Sequence, residues 1–429
     1  MQDPFEYREA AIRERELMLR LPSLVDRALQ APGWQRLLGD VEPAAIDNRA
    51  ALAGLPVTRK GDLHALQVES RKRGEGAFGG LNATAIGSLS RLFMSPGPIF
   101  DPEGRGDDYW RCARALSAAG IEAGDIVYNG FSYHLTPGAW MIDGAARSMG
   151  CPVIPGGSGQ TELQVEAIEA LRPRHYCGTP SFLKLIIERA EASGADISSL
   201  KTALVSGEAC PPQLTNWLRE HGIDRVFQWY GTADLGLVAY QTFDPNEPTK
   251  INPGLIIDEA LILEIVRPGT GDPVPDGEVG EIVVTVFNPD YPLIRFGTGD
   301  LSAIDSTPSP CGRTNRRIRG WLGRADQTTK VRGMFVHASQ VDQVVKRFDE
   351  IKRARLVVEG ELANDRMTLH CELADRELDV VADADVAALK ERIAQCLREV
   401  TKLRGDVAFA DGAGLPNDGK VIEDARRYD

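Results

Sequence analysis

Between Asp108 and Tyr230 the chain alternates, five times over, a stretch with helical spacing of apolar residues and a short apolar run. "YWRCARALSAAG" precedes "DIVYNGF", "AWMIDGAARSMG" precedes "CPVIP", and "ELQVEAIEALRP" precedes "HYCGTP"; "SFLKLIIERAEASG" then precedes "TALVSGE", and "PQLTNWLREHG" precedes "RVFQWYG". Strands separated by helices are joined by crossovers rather than hairpins, so they run parallel, and a parallel sheet needs helices over both faces. The class is α/β. Ligands on such sheets bind beyond the carboxyl ends of the strands, which is where "SGE" and "WYGTADLG" fall.

After Gly254 the period changes to two, in "EALILEIVRPG", "GEIVVTVFN" and "LIRFGTGDLSAI", with turn residues between them, which predicts a small β subdomain. Beyond Gly323 a compact α+β pattern follows: the helix "ASQVDQVVKRF", the strands "ARLVVEGE" and "RMTLHCELA", and the helix "VAALKERIAQCLREVTKL". A chain of 429 residues exceeds what one core usually supports, and the change of pattern places the division between domains at 1–325 and 326–429.

No apolar run approaches the ~20 residues of a membrane span. The N-terminal stretch intersperses its apolar residues with charges and carries no secretory signal, so the expected compartment is the cytoplasm. Seven cysteines without a CxxC pair fit buried thiols in a reducing environment better than a disulfide frame. A net charge of −13 argues against nucleic acid as a partner.

Five short segments in fixed order carry the chemistry: "SGEA" at 206–209, "WYGTADLG" at 229–236, "FGTGDL" at 296–301, "GRADQTTKVRG" at 323–333 and "LPNDGK" at 415–420. Taken singly, a TGD or a GK is far more often a turn than a site. Taken together, in this order, they resemble the adenylate-forming (ANL) superfamily and within it the phenylacetate-CoA ligase family, a likeness that extends to "CPVIPGGSGQTELQ" and "GTPSFL".

That resemblance implies a large N-terminal AMP-binding domain, a small mobile C-terminal domain, and ATP, Mg2+ and CoA as co-reactants. It implies that Ser206, Gly207 and Glu208 line the adenine, that Tyr230 stacks on the purine beside Gly231, and that Thr232 meets the α-phosphate. Asp234 takes the place of the family's magnesium-holding glutamate, one methylene shorter in reach. Asp300 accepts from the ribose hydroxyls and Arg324 meets ribose or phosphate oxygens. Asp326 stands at the hinge, Gly333 lines the CoA channel, and Lys420 is the catalytic lysine, whose cation stabilises charge as the acyl adenylate forms.

The family's phosphate loop is a Ser/Thr/Gly-rich run ending in Gly-Lys-Pro. Its counterpart here is "SPGPIFDPEG", which keeps Ser95 and Gly97, lacks the lysine, and has prolines that remove backbone donors. Three readings stay open: the loop suffices, with Thr232, magnesium and Lys420 carrying the chemistry; ATP binds weakly or in another pose; or adenylation is lost. Retention of Tyr230, Asp300, Arg324 and Lys420 argues against the last. The zinc turn of some relatives is reduced to Cys311, and a lone cysteine makes no tetrahedral site, so no zinc is expected.

The small-molecule carboxylic acid is expected near "NGFSYHLTPGAW", where Tyr133, Pro137 and Trp140 offer an apolar slot and His134 a polar contact. Trp140 is equally well read as helix core. The function implied is ATP-dependent activation of an aryl acid to an acyl adenylate, then transfer to CoA, in a homodimer. The alternatives are an adenylyltransferase of the deazaflavin-cofactor synthetase type and a catalytically degenerate ligand-binding homologue.

Overall fold

The computed structural model describes residues 3–95, 99–325, 328–332, 334–360, 365–373, 383–410, 414–416 and 421–426. The chain divides into two compact units, one of Met1–Cys210 with Leu214–Ala325 and one of Asp326–Asp429 with Pro211–Gln213.

The five helix–strand units of the first unit form as their periodicity requires. Strands Val153–Ile154, Val127–Asn129, His175–Gly178, Thr202–Val205 and Arg225–Thr232 lie side by side in that order, all parallel. Successive residues face opposite sides: Val127, Cys177, Leu204 and Phe227 enter one core with helices Ala113–Ala118 and Gly138–Ser148. Tyr128, Tyr176, Ala203, Val205 and Val226 enter another, with helices Thr161–Leu171, Pro180–Ser193 and Pro212–Glu220. Burial on both faces explains why these strands read as continuous apolar runs. The helices carry their own start and stop signals. Thr179 accepts a hydrogen bond from the Phe182 N–H, Pro180 opens the helix, and Gly194 closes it in the left-handed conformation.

The parallel sheet does not stop at Thr232. It continues through antiparallel strands Gly236–Tyr240, Leu255–Ile257, Arg317–Ile318 and Ile304–Asp305 to nine strands. The period-two strands Leu261–Val266, Gly280–Val286 and Leu293–Ser302 pair antiparallel in a separate sheet, completed by Thr58–Arg59, parallel to Leu293–Ser302, and by Gly323–Arg324, antiparallel to it. This β subdomain is not free-standing: Leu263, Ile265, Ile282 and Val284 share one core with Leu17, Leu21, Leu24 and Val25 of helix Ala10–Leu29. Arg295, fully buried, staples the two parts. It pairs with Glu264 and donates to the carbonyls of Ala53, Leu55 and Gly271.

The second unit is an α+β body. A four-stranded sheet in the order Asp406–Phe409, Arg366–Leu373, Ile351–Glu359, Ile422–Asp424 packs its apolar face, Leu356, Val358 and Leu369, against Val341, Val344, Ile393 and Leu397 of helices Ala338–Val345 and Asp383–Thr401. No helix among the described residues is long and apolar enough to cross a membrane.

Candidate active site

The site grows from the carboxyl end of strand Arg225–Thr232. Tyr230 lies here, and its hydroxyl donates to Asp300 Oδ2 at 2.7 Å. Burial, reinforced by the Asp300 charge, pushes this phenol well above its ordinary pKa, so it remains a donor at neutral pH. Asp300 is brought in by strand Leu293–Ser302, and directly across the ladder stands Arg324, whose Nη1 is 3.0 Å from Asp300 Oδ1. The same oxygen accepts from Trp321 Nε1, also at 3.0 Å. Trp321 was not expected at the site from the sequence.

The turn that presents Asp300 is held from beneath. Glu281, fully buried, accepts the Gly299 N–H at 3.1 Å and pairs with Arg59. Thr298 contributes twice: its hydroxyl accepts the Asp300 N–H at 3.1 Å and donates to the Ile282 carbonyl at 3.0 Å. Thr232 closes the turn after Tyr230 by accepting the Leu235 N–H at 3.1 Å. Between them Gly231 is sterically required, because a Cβ there would lie 2.4 Å from the Gly236 carbonyl oxygen and 2.6 Å from the Trp229 ring.

Ser206 is buried at the end of strand Thr202–Val205, and Gly207 follows with φ 84°. The Glu208 carboxylate accepts the Ser181 N–H at 2.7 Å at the first turn of helix Pro180–Ser193, so the side chain serves that helix.

"SPGPIFDPEG" folds as a β-hairpin, Arg91–Ser95 against Ile99–Glu103 in the register Ser95 to Ile99. Pro96, Gly97 and Pro98 lie outside the described residues. Ser95 is 2% exposed and donates to Asp101 Oδ2 at 2.7 Å, so its hydroxyl turns inward and is not presented to phosphate. Helix Lys60–Lys72 fixes the hairpin through Gln67, which accepts the Phe100 N–H and donates to the Phe100 carbonyl, both at 2.8 Å.

That helix also supplies the cation the loop lacks. Lys60 Nζ lies 3.1 Å from Asp234 Oδ2. Desolvation opposes its charge, but Asp234 and Asp101 outweigh it and hold the ammonium above its ordinary pKa. Asp101 shows the converse: burial first, then the Asp234 charge, pushes its carboxyl up to about 8. Asp234, expected to hold magnesium, gives Oδ2 to Lys60, while its Oδ1 is buried without a hydrogen-bond partner among the described residues. The cation on Asp234 is a lysine. A signal for it existed in "TRKGD": Asp62 caps the helix by accepting the Arg59 N–H at 2.8 Å, which puts Lys60 in the first turn, where the helix dipole disfavours a cation unless a carboxylate holds it.

Beyond strand Val127–Asn129, Tyr133 donates to Asp143 Oδ1 at 3.3 Å and accepts from Asn129 Nδ2 at 2.9 Å. Trp140 meets Tyr133 edge-on at 5.1 Å, and the Arg91 guanidinium of the hairpin stacks on it at 4.2 Å. Trp140 is half-buried and packs on the core, as one of its two readings from the sequence expects. Pro137 is buried and His134 is exposed. Asp326, Gly333 and Lys420 lie outside the described residues. Cys311 sits 3.1 Å from Ser309 Oγ and 3.5 Å from Arg313 Nη1, and among the described residues no group of three or more His, Cys, Asp or Glu is arranged to hold a metal.

A family model described as AMP-binding enzyme matches residues 112–286. A phenylacetate-coenzyme A ligase of Thermus thermophilus is 29% identical over 91% of this chain and 89% of that enzyme. The phenylacetate-coenzyme A ligase of Aromatoleum evansii is 30% identical over 71% of this chain and 68% of its own. Among solved structures, 2-hydroxyisobutyryl-CoA ligase in complex with 2-HIB-AMP and CoA matches 99% of this chain and 92% of that one, at 22% identity and a TM-score of 0.81.

Proposed function

The chain belongs to the phenylacetate-CoA ligase family, and from that premise we propose that it activates a carboxylic acid with ATP and passes the acyl group to CoA. The observation that carries the reading is the bonded set of Tyr230, Asp300 and Arg324, brought together from three strands, with Thr232 two residues after Tyr230 and Lys60 anchored on Asp234. The acid is an aryl acid, seated by Tyr133, Pro137 and Trp140.

In this reading the purine stacks on Tyr230, Asp300 and Arg324 hold the ribose, and the backbone of 206–208 edges the adenine. The acid's carboxylate attacks the α-phosphorus, the bond to the bridging oxygen breaks, and pyrophosphate leaves with the electron pair. Charge builds on the α-phosphate oxygens, where Thr232 offers a hydroxyl and Arg324, Lys60 and Lys420 are the cations. Magnesium belongs to this reading as the counter-ion of the polyphosphate, with Asp234 as the carboxylate placed to hold it. The CoA thiol then attacks the acyl carbon and AMP departs, after residues 326–429 turn about Asp326 to bring Gly333 to the thiol channel. The adenylyltransferase and relic readings are not favoured: the curated relatives that span most of the chain are CoA ligases.

Seven buried, unpaired cysteines support a reducing compartment, the cytoplasm, and we take the assembly to be a homodimer, which sedimentation tests. The deciding experiment measures pyrophosphate release with ATP and magnesium over a panel of aryl and short aliphatic acids, with and without CoA. Release with aryl acids, faster with CoA, is expected. Release indifferent to CoA points to another acceptor, and silence across the panel with no ATP binding by calorimetry overturns the reading.

A further inference from the structure

We propose that Arg355 and Glu372 are positioning residues for Lys420: they grip the backbone that leads into it, and so act on acyl-adenylate formation without touching a substrate. The inference rests on the reading of Lys420 as the lysine of the adenylation step. The chain is described on either side of residues 417–420, at 414–416 and 421–426. On the near side three successive backbone groups are each taken by a charged side chain. Glu372 Oε2 accepts the Leu415 N–H at 3.2 Å, Arg353 Nη2 donates to the Leu415 carbonyl at 3.0 Å, and Arg355 Nη2 donates to the Pro416 carbonyl at 3.1 Å. On the far side the Val421 carbonyl accepts the Leu356 N–H at 2.9 Å, and strand Ile422–Asp424 runs parallel to Ile351–Glu359 with Ile422 opposite Leu356. Both ends of 417–420 therefore come down on one strand, between Arg353 and Leu356.

The grip is itself braced. Alternation along the strand turns Leu356 and Val358 into the core and Arg353 and Arg355 to the opposite face. Glu372 stands across the ladder from Arg353, pairs with it, and also meets Lys352 at 3.0 Å. Hydrogen bonds from Lys352, Arg353 and the Leu415 N–H hold the Glu372 carboxyl down at about 2, so it is ionised wherever the protein is folded. Arg355, only 5% exposed, lies 3.0 Å from Glu423 Oε2 through its other terminal nitrogen. A segment entering a surface turn ordinarily leaves its N–H and C=O groups to water. Charge-assisted bonds from braced side chains instead fix where Leu415 and Pro416 lie, and a displacement of about 1 Å at a reacting group costs on the order of 100-fold in rate.

The test measures two half-reactions on the full chain: pyrophosphate release with ATP, magnesium and the aryl acid that gives fastest release, and CoA consumption with that acid's adenylate supplied. Arg355→Met and Glu372→Ala are each expected to lower release at saturating ATP at least about tenfold, while the KM for ATP and the rate of CoA consumption stay within about threefold of native. On a Lys420→Ala background either substitution is expected to change release by less than about twofold, because the side chain it places is gone. Arg353→Met removes the most exposed of the three grips and keeps the test open if the other two variants do not fold. The proposal is overturned by folded variants with native release, by equal losses in both half-reactions, or by an undiminished further loss on the Lys420→Ala background. Native release from Lys420→Ala alone would show that Lys420 does not serve adenylation, and would remove the premise together with the proposal.

Discussion

Lys60 and Asp234 form an ion pair in which one partner is enclosed and the other half-exposed, and the two effects of breaking it can be separated. Lys60→Met should lower stability by roughly 2 kcal/mol, between the values for exposed and buried pairs, because Asp234 is left charged and enclosed. Adding Asp234→Asn should restore most of that stability, since the orphaned charge is gone. Activity should not return: adenylation rates of both the single and the double variant should stay at least about tenfold down if the ammonium acts on the phosphates. Recovery of the rate together with the melting temperature would make Lys60 a structural residue only. Asp101 offers a pH test of the same cluster. Its folded-state pKa of about 8 stands above the unfolded value near 3.8, so folding must protonate it, and its contribution is fully present below about pH 4 and lost as pH rises toward 8. Asp101→Asn mimics the protonated form at every pH. The variant should therefore melt higher than the native protein at pH 8, with the gap closing by about pH 4, and a constant gap across that range would contradict the assignment.

Strand Arg225–Thr232 and its return strand Gly236–Tyr240 approach so closely at Gly231 that any Cβ there must part them. Gly231→Ala should cost about 1–3 kcal/mol, as overpacking does, and weaken ATP binding at least about tenfold by displacing Tyr230 and Thr232, both read out by thermal melting and calorimetry. The helix–strand units were legible where a strand is buried on both faces, as Thr202–Val205 is, and where a helix carries its own punctuation, as Thr179, Pro180 and Gly194 do. The antiparallel continuation of the sheet was not. Strand Gly236–Tyr240 is wholly buried and so reads like any parallel strand, and Arg317–Ile318 and Ile304–Asp305 are too short to have a period. The packing of the period-two sheet on helix Ala10–Leu29 was hidden for another reason: it joins residues more than 200 positions apart, such as Arg295 and Leu55. At the site, Tyr230, Asp300 and Arg324 were found through their motifs. Glu281 and Trp321 stand in stretches with no motif, Lys60 is marked only by the helix start in "TRKGD", and Asp101 lies unremarked in the phosphate-loop counterpart, so only the fold shows what they bond to.

A chain whose motifs run in order from Ser206 to Lys420 places the nucleotide groups in its first unit and the expected catalytic lysine in its second, so the two half-reactions should respond differently to the loss of Lys420. Adenylation builds charge on the α-phosphate as pyrophosphate leaves, and a cation there acts in the transition state. Thioester formation starts from an adenylate already made; its bond changes occur at the acyl carbon, and in the proposed reading Tyr230, Asp300 and Arg324 hold the departing AMP. If residues 326–429 turn about Asp326 between the two steps, Lys420 leaves the phosphates before the thiol attacks. Lys420→Ala should then lower pyrophosphate release from ATP and acid by at least about 100-fold, while CoA consumption with a supplied aryl adenylate stays within about threefold of native. Equal losses in both assays would mean that one arrangement of the chain serves both steps, and that the residues about Asp326 are a tether rather than a hinge.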